Sequence, residues 1–301
     1  MGLYPIPGVS PLQPIDPNNF TQNHLQPGLL NDSNCCCLIS IILCVHRLGL
    51  INVLNIPTQM NMNPGSPNVV TCVLAKILSS LPSSNAFSIH TLIETVNQSQ
   101  LGLVLGQNED LYIIDGILKH LRFQDQSGVP SLTKFTISYY CPQCQTNYSG
   151  ITPSSFEVIP ELGLPNQANP VNPSDILTDL LNENLAITCQ VCQTNINNAS
   201  YEVVKGKVTL LRLNRLGFQG GQTFKIMTPL EFGPRNNPGS QLLGELVGVI
   251  CHISGNMQHW LSYSKTINGW YQNDDQRLPV PSSPFNSNQP GETMNLLCYK
   301  N

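Results

Sequence analysis

Asn31-Asp32-Ser33-Asn34-Cys35-Cys36-Cys37-Leu38-Ile39-Ser40-Ile41-Ile42-Leu43 passes from turn-forming polar residues, through three consecutive cysteines, into an apolar run. That pattern marks a helix starting inside a protein core, with the cysteines at or near its first turn. A thiol placed there meets unpaired backbone N–H groups and the positive end of the helix dipole, and both favour the thiolate. The competing reading is a buried helix carrying small apolar cysteines. From Leu38 the helix is expected to continue through Cys44, Val45 and Leu48 to Leu50, with Gly49 opening its end. His46 and Arg47 fall where such a helix meets solvent, so His46 reads as a surface or satisfied histidine.

Upstream, residues 1–29 carry prolines at 5, 7, 11, 14, 17 and 27 and little periodicity, and read as an extended arm. The whole chain of 301 residues is long enough for one large domain or two smaller ones. Only 11% of it is charged, against about 25% in ordinary globular proteins. A net charge of -4 with no Lys/Arg cluster argues against nucleic-acid binding. Met1-Gly2-Leu3-Tyr4-Pro5 does not read as a signal peptide, and the apolar run Leu38–Val45 is too short to cross a bilayer. Eleven cysteines, seven of them in a triplet and two Cys-x-x-Cys pairs, fit metal binding plus one reactive thiol in a reducing, intracellular compartment, cytoplasm or nucleus.

Downstream the pattern predicts a loop over 57–68 and helices over 69–80, 87–97 and 109–121. Asp115 and His120 in that stretch lack partners at useful spacing and read as structural. A strand over 134–140 runs into Cys141, a Pro/Asn/Ser-rich loop over 152–175 surrounds a short strand at 156–159, and a helix is expected over 175–181. Further strands are expected at 186–188, 201–204, 208–213, 224–227, 243–252, 259–265, 270–271 and 294–299. The order is a helical first half, a cysteine-bearing insertion and a β-rich second half.

Cys141-Pro142-Gln143-Cys144 and Cys189-Gln190-Val191-Cys192 each end a strand-like run. Each pair can present two thiolates from a tight turn, and four soft thiolates are the donor set of structural Zn²⁺. One such pair alone would be weak evidence, with a redox dithiol as its rival. Four thiolates leave no open position for water, so this metal would hold geometry rather than catalyse.

Near the C-terminus, Gln258-His259-Trp260-Leu261-Ser262-Tyr263 alternates as a strand, Gly269 permits a turn, and Trp270-Tyr271-Gln272-Asn273-Asp274-Asp275 returns to two aspartates. His259 and Asp274 can then face one another across a hairpin, the carboxylate orienting the imidazole. Asp275 is the rival carboxylate and His252 the rival imidazole. A cysteine at a helix N-terminus opposite a His–Asp pair is the apparatus of a thiol hydrolase.

Together these pieces resemble the ubiquitin-specific protease (USP) family of cysteine peptidases in a divergent, compact form. The family carries Asn-x-Gly-x-Thr-Cys-x-x-Asn-Ser, a zinc ribbon of two Cys-x-x-Cys pairs, and Gly-His-Tyr-x-x-Tyr followed by Trp-Tyr-x-x-Asp-Asp. Asn31 to Ser40 follows the first box, which singles out Cys36 as nucleophile and places Asn31 at the oxyanion-stabilising position. His259 matches the general base, Asp274 the orienting residue and Tyr263 the late tyrosine. Ser33, Cys35, Ile39, Gln258 and Trp260 depart from the boxes. The resemblance implies an α+β, papain-like cysteine protease fold of the USP type over residues 30–301: a helical thumb at about 30–130, zinc-bearing fingers at about 131–215 and a β-rich palm at about 216–301.

Its implied activity is thiol-dependent hydrolysis after the C-terminal glycine of ubiquitin or a ubiquitin-like modifier. The pattern is also similar to the family's outlying branch that acts on SUMO. Trp260 is expected to help line the channel for the modifier's tail. The alternatives are an inactive relative that binds a modifier, a zinc-ribbon structural or interaction protein, and a transglutaminase or unrelated papain-like hydrolase. The paired cysteine knuckles between nucleophile and base favour the USP reading over the last.

Overall fold

A computed structural model describes residues 29–30, 36–47, 87–88, 133–151, 156–158, 172–182, 184–213, 228–235, 242–253, 259–275, 277–286 and 292–301. The chain divides into two compact units, Met1–Ser131 with Val247–Asn295, and Leu132–Leu246 with Leu296–Asn301.

In the first unit, α1 (Cys36–Arg47) begins at the cysteine run. Every residue from Cys36 to Cys44 is buried, so this stretch of the helix is covered on all sides, as an all-round apolar helix must be. Each fully buried Leu or Ile contributes about 1.5–3 kcal/mol. Helix α1 packs along β11 (His259–Thr266) and touches β12 (Gly269–Asn273). Those strands form an antiparallel meander with β10 (Gly244–Ile253) and β13 (Val280–Pro281). The register sets Ile253 opposite His259 and Ser262 opposite Asn273. Gly269, at φ +112°, closes the β11–β12 turn with open space where a Cβ would be.

Two expectations fail here. Arg47 is not solvated: it is 2% exposed, and burial lowers its guanidinium to about 10. It sits in the last turn of α1, where the negative end of the helix dipole favours a cation. The structure describes no side chain for His46, and Gly49 lies outside the described residues. The helix expected over 87–97 does not include its first two residues, because Phe87–Ser88 is strand β2, paired in parallel with β1 (Leu29–Leu30). The completely buried Leu29 anchors that pairing and ties the end of the arm to the core. Residues 89–97 and the helices expected at 69–80 and 109–121, with Asp115 and His120, lie outside the described residues, as does the strand expected at 224–227.

The second unit carries an antiparallel sheet in the order β4 (Thr146–Ile151), β3 (Lys134–Cys141), β7 (Asn195–Val204), β6 (Leu185–Thr188). Helix α2 (Pro173–Asn182) touches β7. Asn172 caps α2, its Oδ1 accepting the Ser174 N–H at 3.0 Å, and Pro173 follows where a missing N–H is harmless. Strand β8 (Val208–Leu213) is buried at every position, as a strand flanked and covered on both faces must be. It pairs antiparallel with β14 (Glu292–Lys300) and in parallel with β5 (Phe156–Val158). The Thr133 and Thr209 hydroxyls meet at 2.6 Å beside the Thr133 N–H to Val208 C=O bond at 2.7 Å, joining the start of β3 to β8.

Candidate active site and metal centre

Cys36 is the first residue of α1 and is 3% exposed. First-turn N–H groups have no partner within the helix, so the backbone beside this thiol can receive negative charge. Asn31 and Cys35 lie outside the described residues.

His259 opens β11, the strand along which α1 lies. Its Nε2 is 2.7 Å from Asp274 Oδ1, with side-chain exposures of 30% and 15%. Asp274 follows the last residue of β12, so the hairpin that pairs Ser262 with Asn273 also carries the carboxylate to the imidazole. The hydrogen bond to Asp274 holds the His259 pKa above its ordinary 6.5. Its counterpart, the hydrogen bond to His259, holds Asp274 below 3.8. Of the two adjacent aspartates, Asp274 makes the bond. Asp275 takes a left-handed conformation at φ +44°, and its carboxylate also lies within 4.8 Å of the His259 ring nitrogen and the Asp274 carboxylate.

The rival imidazole, His252, lies on β10 against Trp260, with ring centroids 4.8 Å apart. Trp260 is itself buried there. Sequence reasoning missed Arg277, whose NH1 is 2.7 Å from Asp274 Oδ2. It also missed Asn273, a buried side chain whose Nδ2 donates to Ser264 Oγ at 3.2 Å and Ser262 O at 3.4 Å. The three-residue spacing of Arg277 from Asp274 was the available signal for the first. Asn273 carried none, since only the strand register shows that it lies opposite Ser262.

Cys141, Cys144, Cys189 and Cys192 converge at the ends of β3 and β6, their sulfurs all within 4.8 Å of one another. Cys141 and Cys192 Sγ are 3.4 Å apart, and Cys144 and Cys189 Sγ 3.9 Å. Tetrahedral coordination at a Zn–S length of about 2.3 Å requires sulfurs roughly 3.8 Å apart, so the four are close enough to hold one metal ion and the soft donor set suits zinc. Both knuckles turn alike. Gln145 and Gln193, each just after the second cysteine of its pair, take φ +53° and +59°. Hydrogen bonding to Thr194 brings the Cys192 thiol down to about 6, whereas at Cys144 the bond to Tyr148 is outweighed by the bond to Cys192 and by burial, which push that thiol up to about 12. Tyr139 and Tyr148 stack beside the cluster at 5.2 Å.

No family model and no curated protein matches the chain. Solved structures do. A yeast SAGA DUBm containing an Sgf73 point mutant matches with a TM-score of 0.53 at 16% identity, over 93% of this chain and 69% of the other. The Ubp8–Sgf11–Sgf73–Sus1 SAGA DUB module matches with a TM-score of 0.56 at 16% identity, over 93% and 68%. With the four-cysteine cluster, these likenesses give the chain a USP-like fold.

Proposed function

We propose that the protein is a cysteine isopeptidase that cleaves after the C-terminal glycine of ubiquitin or a ubiquitin-like modifier. One observation carries this reading: the 2.7 Å bond between His259 Nε2 and Asp274 Oδ1, on the hairpin against which the Cys36 helix packs. Because Asp274 occupies Nε2, Nδ1 is the nitrogen that takes the thiol proton of Cys36. The thiolate sulfur bonds to the glycine carbonyl carbon. The oxyanion is held by the Asn31 side-chain amide and the Cys36 backbone N–H, worth a few kcal/mol (about 3). Collapse breaks the C–N bond as Nδ1–H protonates the leaving lysine amine. Water, deprotonated by the same nitrogen, then releases the modifier from the thioester. The four cysteines would hold a structural zinc that fixes the β3–β4 and β6–β7 hairpins. The thumb at 30–130, fingers at 131–215, palm at 216–301 and an intracellular location belong to the same reading.

Ubiquitin is favoured, since the similar structures are described as a DUB module; SUMO has no such support. The inactive-relative and zinc-ribbon readings predict no turnover. Hydrolysis of a ubiquitin C-terminal fluorogenic amide tests the proposal. Turnover that Cys36→Ala abolishes is expected; no turnover of ubiquitin, SUMO or related amides by folded, zinc-loaded protein would overturn it.

A further inference from the structure

The carboxylate of Asp274 is divided. Oδ1 faces His259 Nε2 at 2.7 Å, and Oδ2 faces Arg277 NH1 at 2.7 Å. Arg277 is also bound to Asp274 through the backbone, its N–H donating to the Asp274 carbonyl at 2.9 Å. With Asp275 at φ +44° as the second residue, Asp274 to Arg277 is thus a closed turn. The turn and the side chain return to the same residue, one fixing its backbone and the other its carboxylate. The Arg277 side chain is 76% exposed while Asp274 is 15% exposed, so the cation reaches the carboxylate from the solvent side.

We propose that Arg277 is a positioning residue for the His259–Asp274 pair. It claims the second carboxylate oxygen, fixes which oxygen meets the imidazole, and moderates the negative charge that His259 feels. This rests on the isopeptidase reading for its catalytic consequence, because an imidazole that must later give its proton to a leaving amine works best when its partner does not hold that proton too tightly.

Other charged or titratable groups around His259 do not replace this role. On β12 and its turn these are Tyr271, Asp274 and Asp275; the two carboxylates favour the imidazolium, whereas Arg277 opposes it. Helix α1, packed against β11, carries Cys36, Cys37, Cys44, His46 and Arg47. The paired strand β10 carries Glu245, Cys251 and His252, and β11 itself carries Tyr263 and Lys265. Among the described residues, Arg277 is the cation bonded to Asp274.

The test is an NMR titration of the His259 ring in full-length wild type, Arg277→Gln and Arg277→Lys, beside pH profiles of modifier-amide hydrolysis. An exposed ion pair is modest and screened by salt, so in R277Q the His259 midpoint should rise by about half a unit at low salt. The rise should collapse in 1 M NaCl, where the Debye length is about 3 Å. R277K should stay near wild type, and the alkaline limb of kcat/KM should move with the R277Q midpoint. An unchanged or lowered midpoint in R277Q would overturn the proposal. The two readings fail separately. A midpoint that rises in a chain that cleaves no modifier leaves the Arg277 role standing and removes the isopeptidase reading. Cleavage with an unmoved midpoint does the reverse.

Discussion

His259 and Asp274 perturb one another in opposite senses, and stability should follow. His259, raised above 6.5, contributes stability that is complete below that value and lost as pH rises through its folded pKa. Asp274, lowered below 3.8, contributes stability that is complete above that value and lost as pH falls through its own folded pKa. The melting-temperature gap between wild type and Asp274→Asn should therefore be widest at about pH 5 and narrow on both sides; a gap that is flat with pH would contradict the pairing. A second prediction concerns Ser40, buried in α1 with an Oγ that meets no hydrogen-bond partner among the described residues. Removing an unsatisfied buried hydroxyl costs nothing, so Ser40→Ala should leave stability unchanged or raise it by about 1 kcal/mol in denaturant melts. A clear loss would mean the hydroxyl is satisfied. At this scale the His–Asp pairing was legible because alternation and a glycine turn imply a hairpin. The residues alone left the choice between Asp274 and Asp275 open and only the family resemblance favoured Asp274; the bond that separates them, His259 Nε2 to Asp274 Oδ1 at 2.7 Å, depends on tertiary placement that no local pattern encodes. Arg47 misled because a cation at the end of an apolar run reads as solvated, whereas here Arg47 is itself buried.

The two knuckles are the elements on which the second unit's first sheet depends, since each caps a hairpin of β3–β4 or β6–β7. Their core is small: Cys141, Cys189 and Ile196, with Tyr139, Tyr148 and Ile187 against them. Purified protein should carry one zinc per chain, and chelation or Cys189→Ser should lower the melting temperature and expose thiols to a colorimetric reagent. Full thermal stability after complete metal removal would contradict a structural ion. Gly244 offers a metal-independent probe, because a Cβ there would lie 2.8 Å from the Lys300 carbonyl oxygen at φ +142°. Gly244→Ala should destabilise by at least about 1 kcal/mol. The paired Cys-x-x-Cys spacing made the knuckles readable, and β8 was legible from Val208, Leu210, Leu211 and Leu213, although Thr209 and Arg212 interrupt its apolar run. Strand β4, Thr-Asn-Tyr-Ser-Gly-Ile, was not legible, nor was the Asn-rich start of β7. Asn147 and Gly150 in β4, and Asn195, Asn197 and Asn198 in β7, disfavour strand, and the ladders with β3 and β6 supply what local propensity lacks.

At the scale of the molecule, a buried helix beginning at a cysteine, a hairpin holding a His–Asp pair and a four-cysteine cluster occur together in a chain of USP-like fold. The first two belong to one compact unit and the third to the other. No helix among the described residues is long and apolar enough to cross a membrane. The central claim is that Cys36 is a nucleophile directed at the C-terminal glycine of a modifier. Its most direct test is reaction with a panel of ubiquitin-like probes carrying a C-terminal thiol-reactive warhead, read by intact mass and peptide mapping. The predicted result is a single adduct on Cys36, formed by the ubiquitin probe, abolished by Cys36→Ala and His259→Ala, and preserved in Cys35→Ala. Folded, zinc-loaded protein that reacts with no probe, or reacts equally well without Cys36, would contradict it.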